Sequence, residues 1–321
     1  MTPMRSTLWL PVVAVLMLGA SPVRTQTPPA SGAAPVSGSA PVPGSAGDID
    51  FHHVHMNVVD PEASTAFYVT SFWKATRHVE AGMSGVRSEN VLILFNKVAT
   101  KASAEWDTPF WHFGWNTADA KADYDRLSSL GVKFFRVPPP SGHMVGPDGN
   151  DIEIAPGKGG TSGGLTSSSF NHVHLMSEAP VCASDWYQKV LGLGLVGITN
   201  PDGGSDCHVP FRPRHDPANQ IHEPNVRLLA GSILVSIYPH QRLTALSQVA
   251  VDSEGPLVSP KGRVLDHVGL SVRDLQGTLS RLKTQGVTVL EGPHRFGTSH
   301  TMAAFIEGPD RMVIELIERP R

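Results

Sequence analysis

The stretch Val264 to Glu318 decides the fold, and it opens with Val-Leu-Asp-His-Val-Gly-Leu-Ser-Val. Its alternating apolar residues predict a strand that carries His267. A helix is expected next, because Asp274 can cap its start, leucines recur at helical spacing and Gly286 is typical of a helix end. Three further strand-like runs follow, and the last carries Glu315 among apolar residues. The stretch therefore predicts a βαβββ module with a histidine in its first strand and a glutamate in its last.

The same pattern recurs three more times along the chain. The four opening strands contain, in chain order, Phe-His-His-Val-His, Phe-Trp-His-Phe-Gly, Phe-Asn-His-Val-His and Leu-Asp-His-Val-Gly. The third position of each run is a histidine: His53, His112, His172 and His267. The second module closes with Gly-Pro-Asp-Gly-Asn-Asp-Ile-Glu-Ile, in which Asp-Gly-Asn favours a tight turn before the strand of Glu153. The chain is thus expected to contain four βαβββ modules, and such recurrence indicates a repeat architecture.

This module resembles the repeating unit of the vicinal oxygen chelate superfamily, which includes glyoxalases, extradiol ring-cleaving dioxygenases and fosfomycin- and bleomycin-resistance proteins. The resemblance covers residues 49–319 and implies an α+β fold, in which four βαβββ modules form two glyoxalase/extradiol-dioxygenase-like domains. Residues 158–169 are rich in Gly, Ser and Thr and are the expected linker between the domains. The first domain is then residues 49–157 and the second residues 170–319.

In this family two successive modules pair, so that their first and last strands line one concave metal site. Carried over to this sequence, the N-terminal pair offers His53, His112 and Glu153, and the C-terminal pair offers His172, His267 and Glu315. Two imidazoles and one carboxylate leave open positions on a divalent metal, and this set is associated with non-haem Fe(II) oxygenases. The resemblance implies Fe(II) or Mn(II), with Zn(II) and Ni(II) as alternatives, and it favours the C-terminal set slightly for catalysis.

The implied substrate is a small molecule with two neighbouring oxygens, because it can chelate the metal and its bound hydroxyl then becomes more acidic. Glyoxalase-type isomerases also use a carboxylate or amide from the last strand of the first module of each pair. The matching runs here, residues 91–95 and 234–237, contain no carboxylate. An extradiol-type dioxygenase is therefore favoured, although manganese-dependent fosfomycin-resistance transferases share the two-histidine, one-glutamate set. A glyoxalase-like lyase or isomerase and a non-catalytic, resistance-type binding protein are the alternatives.

Acid or base residues beside the metal are expected among His294, His300 and Tyr238, with His208 as a further candidate. Phe305 stands near the place where extradiol enzymes resembling the fourth module usually have a tyrosine, which argues against ring cleavage.

Two further histidines follow candidate ligands at a spacing of two residues. His55 and His174 therefore share a strand face with His53 and His172. They are alternative ligands, outer hydrogen-bond donors or pocket-lining residues, and the last interpretation is favoured.

Export is expected from the start of the sequence. An apolar run from Leu8 to Leu18, preceded by Arg5 and followed by small residues, is typical of a signal peptide over residues 1–21. Residues 22–48 are rich in Pro, Ala, Gly and Ser and predict a disordered tether. The protein is thus expected to be secreted or periplasmic, with no stable membrane span after cleavage.

The remaining composition limits partners and covalent links. A net charge of -3 and scattered basic residues argue against a nucleic-acid partner. The expected partner is a small-molecule substrate, and a homodimer is one option for assembly. Cys182 and Cys207 would form one bridge in an exported protein, but two free buried thiols are favoured.

Overall fold

The computed structural model describes residues 49–138, 141–156, 169–199, 225–240 and 256–319. The segments predicted as signal peptide and tether, most of the predicted linker, Cys207 and His208 lie outside the described residues. The predicted boundaries 49–157 and 170–319 stay predictions.

Helices and strands follow the expected module order. The helices are Pro61–Ser71 (α1), Ala120–Ser129 (α2), Pro180–Leu191 (α3) and Leu275–Thr284 (α4). The strands of the first two modules are Ile49–Val58 (β1), Ala75–Glu80 (β2), Met83–Ser88 (β3), Val91–Lys97 (β4), Phe110–Thr117 (β5), Phe134–Arg136 (β6), Gly142–Val145 (β7) and Asp151–Pro156 (β8). Those of the last two are Ser169–Ser177 (β9), Gly194–Thr199 (β10), Asn225–Ala230 (β11), Ile233–Pro239 (β12), Leu265–Val272 (β13), Val289–Arg295 (β14), Met302–Glu307 (β15) and Val313–Glu318 (β16).

These strands form two mixed sheets of eight strands each. Sheet A has the order β14-β15-β16-β13-β1-β4-β3-β2, and sheet B has the order β10-β11-β12-β9-β5-β8-β7-β6. At the centre of sheet A, β1 pairs antiparallel with β13, and at the centre of sheet B, β5 pairs antiparallel with β9. The predicted α+β fold with four βαβββ modules is confirmed.

The modules do not pair in the predicted way. Sheet A joins the first module to the fourth, and sheet B joins the second to the third, so successive modules lie in different sheets. The expectation that successive modules line one site is therefore wrong. Each first strand offers the same kind of hydrogen-bonding edge, and tertiary packing rather than local pattern decides which edges meet.

Successive modules instead pack against each other through the core and the turns. Phe72 at the end of α1 stacks on Trp115 of β5 with ring centroids 4.0 Å apart. Asn150, in the turn before β8, donates a hydrogen bond to the Tyr68 hydroxyl on α1, at 3.3 Å. Between the third and fourth modules, the Glu178 backbone N–H donates to Asp310 at 3.2 Å. These contacts hold successive modules together, whereas the first strands pair with those of non-successive modules in sheet A and of the middle two modules in sheet B.

The predicted helix signals are present. Asp60 and Asp119 accept hydrogen bonds from backbone N–H groups of the first turns of α1 and α2, and Asp274 accepts one from Gly277 at the start of α4. Gly192 ends α3 in the left-handed conformation, with φ of 73°. The helices are therefore fixed locally at the positions that the sequence marks.

Cys182 is disulfide-bonded, so the prediction of a free thiol is wrong for this residue. Its bond removes one of the two alternatives left open by the composition.

Within the described ranges, each helix lacks the length or the apolar character needed to cross a bilayer.

Candidate metal centres

Each sheet gathers two imidazoles and one carboxylate on the face opposite to the shared core. Site A is defined here as His53 on β1, His267 on β13 and Glu315 on β16. Site B is defined as His112 on β5, His172 on β9 and Glu153 on β8. In each sheet the three strands are immediate neighbours, so their side chains converge without long loops.

In site A both imidazoles approach the same carboxylate oxygen. His53 Nε2 lies 3.3 Å and His267 Nε2 lies 3.4 Å from Glu315 Oε2. All three side chains are at most 5% exposed. Neither Nε2 atom has a hydrogen-bond partner within the described part of the chain. Two buried imidazole nitrogens are thus aimed at one carboxylate without a bond that would satisfy them.

Site B has the same arrangement. His112 Nε2 lies 3.3 Å and His172 Nε2 lies 3.1 Å from Glu153 Oε2. The six residues predicted from the sequence therefore meet in two groups of three, but the members differ from those predicted. His53 and His267 belong together, and so do His112 and His172, because the central strand pairs join modules one to four and two to three.

The imidazole–carboxylate distances at both sites suit ligands of one divalent ion, and at site B the ligand atoms of His112, Glu153 and His172 also all lie within 4.8 Å of one another. Ligand atoms that lie about 2.1 Å from one ion, at angles between those of an octahedron and a tetrahedron, are about 3.0 to 3.4 Å apart. The imidazole–carboxylate distances of 3.1 to 3.4 Å fall within that range. An unsatisfied buried nitrogen costs free energy, and a metal bond would remove that cost at His53 and His267.

Glycines on the neighbouring strands make room for the imidazoles. Gly269 is the cross-strand partner of His53, and Gly114 is that of His172. A Cβ atom at either glycine would overlap the imidazole of its partner. The first and third modules therefore carry His-x-His, the second and fourth carry His-x-Gly with a later Glu, and each site combines one module of each kind.

In each site an outer carboxylate lies beside the Nδ1 atom of one imidazole. His267 Nδ1 lies 2.6 Å from Asp266 Oδ1, and Asn57 donates to the other oxygen of that carboxylate at 2.8 Å. In site B, His112 Nδ1 lies 3.4 Å from Asp151 Oδ2, a close contact that is not a hydrogen bond. A carboxylate on Nδ1 leaves Nε2 free to bind a metal and strengthens it as a ligand.

The electrostatics favour the metal-binding protonation state at His53, His112 and Glu153 but oppose it at His267. Burial lowers the pKa of His53 well below its ordinary value and also lowers the pKa of His112. Burial acts to raise the pKa of Glu153, but hydrogen bonds from His112 and His172 hold it well below its usual range. Burial acts to lower the pKa of His267, yet the nearby carboxylates raise it. Most of these groups are thus neutral imidazole or ionised carboxylate near neutral pH.

The predicted acid–base residues divide between the sites. His294 Nε2 lies 3.6 Å from Glu315 Oε1, and its ring stacks on Phe305. The Tyr238 ring lies 5.0 Å from that of His174, beside site B. His300 is exposed in the turn between β14 and β15, and no contact with site A is found for it in the described ranges. The structure therefore brings His294 and Tyr238, but not His300, to a candidate site.

Sequence reasoning missed His143 on β7. It is the cross-strand partner of Glu153, the position that Phe305 occupies opposite Glu315 in sheet A. Its Nδ1 lies 3.0 Å from Asp151 Oδ2, and its Nε2 lies 3.9 Å from Glu153 Oε1. Aligning the third strands of the second and fourth modules would have revealed it.

A family model described as the Glyoxalase/Bleomycin resistance protein/Dioxygenase superfamily matches residues 50–154 and 169–316. This chain belongs to that superfamily. Among solved structures, glyoxalase I from Zea mays is 15% identical, with 84% of this chain and 92% of that chain covered and a TM-score of 0.58. A putative dioxygenase from Bacillus subtilis is 16% identical, with 85% and 86% covered and a TM-score of 0.55. At these identities the likeness concerns the fold. No curated protein matches the sequence.

The two sites of this superfamily member have different walls. Site A is bordered by an apolar cluster: Leu92, Leu94, Phe296, Ala303 and Ile317. Site B is bordered by a cluster with more aromatic residues: Trp106, Trp111, Met176, Tyr238 and Leu257. On β4, Leu92 and Leu94 are the partners of His53 and His55, so apolar side chains occupy the strand expected to supply a further ligand in a glyoxalase-type isomerase. The same arrangement of strands is thus bordered by different side chains at the two sites.

Proposed function

We propose that this protein is an exported, metal-dependent enzyme acting on a small molecule with two neighbouring oxygens, and that site A performs extradiol-type dioxygenation. The observation that carries the proposal is the convergence of two unsatisfied imidazole nitrogens, on His53 and His267, on one oxygen of Glu315. With only three protein ligands, a bound ion would keep open positions for a chelating substrate and for dioxygen.

His53, His267 and Glu315 would hold the metal, with Fe(II) or Mn(II) favoured and Zn(II) or Ni(II) as alternatives. The ion supplies Lewis acidity, which lowers the pKa of a bound substrate hydroxyl. His294 is placed to accept the hydroxyl proton, because its Nε2 lies 3.6 Å from Glu315 and its side chain is 28% exposed, which gives a path to water. Asp266 holds the His267 ring in orientation through Nδ1.

The apolar border of site A fits the carbon skeleton of an aromatic diol. The Phe296 ring lies 5.7 Å from that of His53, and Leu92 and Leu94 are buried beside it. Such side chains exclude water from the ring while the two hydroxyls face the ligands.

Export is part of the proposal. The apolar run at residues 8–18 supports it, and so does the disulfide at Cys182, because disulfides persist in oxidising compartments.

The proposal is tested on the full chain reconstituted with Fe(II) under anaerobic conditions. We expect oxygen uptake with a panel of catechols, lost in Glu315→Ala and retained in Glu153→Ala. Retention in Glu315→Ala with loss in Glu153→Ala would move the activity to site B. Conversion of methylglyoxal with a thiol, without oxygen uptake, would replace the dioxygenase by a glyoxalase-like lyase or isomerase. Bound metal below about 0.1 ion per chain would favour a sequestering protein, because intact ligand sets bind tightly.

A further inference from the structure

We propose that site B holds its ion with four protein ligands, the fourth being His174, whereas site A uses three. This inference rests on the proposed metal binding and goes beyond it, because it assigns the two sites different chemistry. The residue stands two positions after His172 on β9, on the same face of the strand.

The geometry of site B accommodates a fourth ligand. Ligand atoms of His112, Glu153, His172 and His174 all lie within 4.8 Å of one another. His174 Nδ1 is 3.8 Å from Glu153 Oε2. Ligand atoms about 2.1 Å from one ion are about 3.0 Å apart when adjacent and about 4.2 Å apart when opposite, so 3.8 Å is within reach of a common ion. The His174 ring is also 4.4 Å from that of His112.

The equivalent residue of site A is placed differently. His55 stands two positions after His53, and its ring stacks on His267 with centroids 4.5 Å apart and planes 23° apart. The group of mutually close ligand atoms there contains His53, His55 and His267 but does not include Glu315. The compact group of site A is therefore three imidazoles without the carboxylate, whereas that of site B is three imidazoles together with Glu153.

The strand beside each of these histidines also differs. His174 has Ser236 as its partner on β12, whereas His55 has Leu94 on β4. A small polar neighbour tolerates a polar ring turned toward an ion, whereas Leu94 belongs to the apolar cluster that borders site A.

A fourth ligand changes what the site can do. Four protein ligands would leave fewer open positions on a bound ion than three, and a chelating substrate would then exclude dioxygen. Site B is then suited to non-oxidative proton transfer on a chelated vicinal-oxygen substrate. The buried pair of His143 and Asp151, with Nδ1 3.0 Å from Oδ2, lies beside Glu153 to carry the proton. Three imidazoles also favour Zn(II) or Ni(II) over Mn(II).

The test uses full-length variants that each retain one site. His53→Ala with Glu315→Ala isolates site B, and His112→Ala with Glu153→Ala isolates site A. Each is loaded with Fe(II) without oxygen and exposed to nitric oxide, a dioxygen surrogate with a characteristic electron paramagnetic resonance signal. We expect catechol to abolish the nitric oxide signal of the site-B variant and to leave that of the site-A variant present.

Adding His174→Ala to the site-B variant should restore the nitric oxide signal in the presence of catechol. It should also weaken Zn(II) binding, measured by chelator competition, by at least about tenfold. His174→Gln serves as a second variant of closer size, and circular dichroism checks that each protein is folded. The matched control is His55→Ala in the site-A variant, which should change Zn(II) affinity less than about threefold.

The outcomes separate the two proposals. Absence of metal from both single-site variants would overturn the proposed function together with this inference. One ion in each variant, with nitric oxide retained beside catechol in both and no effect of His174→Ala, would overturn the four-ligand site alone.

Discussion

Site A and site B have the same three kinds of candidate ligand, two imidazoles and one carboxylate, but different neighbouring residues. In each, a His-x-His module supplies one imidazole, and a His-x-Gly module supplies another imidazole and the glutamate. Opposite that glutamate stands Phe305 in sheet A and His143 in sheet B. The central strands therefore fix the three ligand positions, while the flanking strands decide how polar the pocket is and which groups can move protons.

The largest expected effect concerns which residues share an ion. We expect the chain to bind two ions. The variant with both His53→Ala and Glu315→Ala should bind only one, because both substitutions remove ligands of site A. The variant with both His53→Ala and Glu153→Ala should bind neither ion, because it lacks one ligand of each site. Metal content per chain, measured by elemental analysis after anaerobic gel filtration, checks this. If instead His53→Ala with His112→Ala lost a single ion, the pairing of the modules described here would be wrong.

The second effect concerns the space beside each imidazole. Gly269→Ala should prevent metal binding at site A and leave site B occupied, because the added Cβ overlaps His53. Gly114→Ala should prevent metal binding at site B and leave site A occupied, because its Cβ overlaps His172. Each change should lower the free energy of unfolding by roughly 1 to 3 kcal/mol through overpacking. Elemental analysis and urea denaturation measure the two quantities.

Gly292→Ala on β14 is the matched control for these glycine variants. Nothing lies within 4 Å of its added Cβ, so both ions should stay and stability should change little. Loss of metal in this variant would show that glycine replacement acts on the sheet as a whole.

The third effect concerns the outer carboxylates. Asp266→Asn should weaken metal binding at site A, and Asp151→Asn at site B, each by roughly 10- to 100-fold, because each carboxylate lies against the Nδ1 atom of a candidate ligand imidazole. Zn(II) titration of single-site variants measures both. Asp125→Asn, on an exposed ion pair with Lys121, is the control and should leave both affinities unchanged. Equal weakening of both sites by one substitution would contradict the assignment.

The smallest effect on metal binding is expected for His143→Phe, which gives sheet B the residue that sheet A carries at this position. Because His143 lies outside the ligand set, the affinity of site B should change less than about threefold, while proton-transfer activity at that site should fall. The loss of its bond to Asp151 should cost about 1 to 3 kcal/mol of stability. Isothermal titration and thermal unfolding check these values. An emptied site B would make His143 a ligand.

The sequence predicts the modules and the six candidate ligand residues that meet in the two sites, because alternation and a fixed turn place each on an inward strand face. It does not predict their grouping. The first and third modules share Phe-x-His-Val-His, and the second and fourth share His-x-Gly with a later Glu, so either pairing gives complete ligand sets. The choice depends on long-range packing such as that of Phe72 on Trp115. The prediction that His300 lies beside the metal fails, because the turn between β14 and β15 places this residue at the surface rather than in site A.

The central pairing of β1 with β13 and of β5 with β9 has an evolutionary consequence. Every centre takes strands from both halves of the chain, so the tandem protein is equivalent to a two-fold dimer of half-length chains joined by one covalent connection. In a dimer of identical chains, a mutation alters both centres at once. Once duplication has placed the halves in one gene, each centre can change alone, as the equivalent positions of Phe305 in sheet A and His143 in sheet B illustrate.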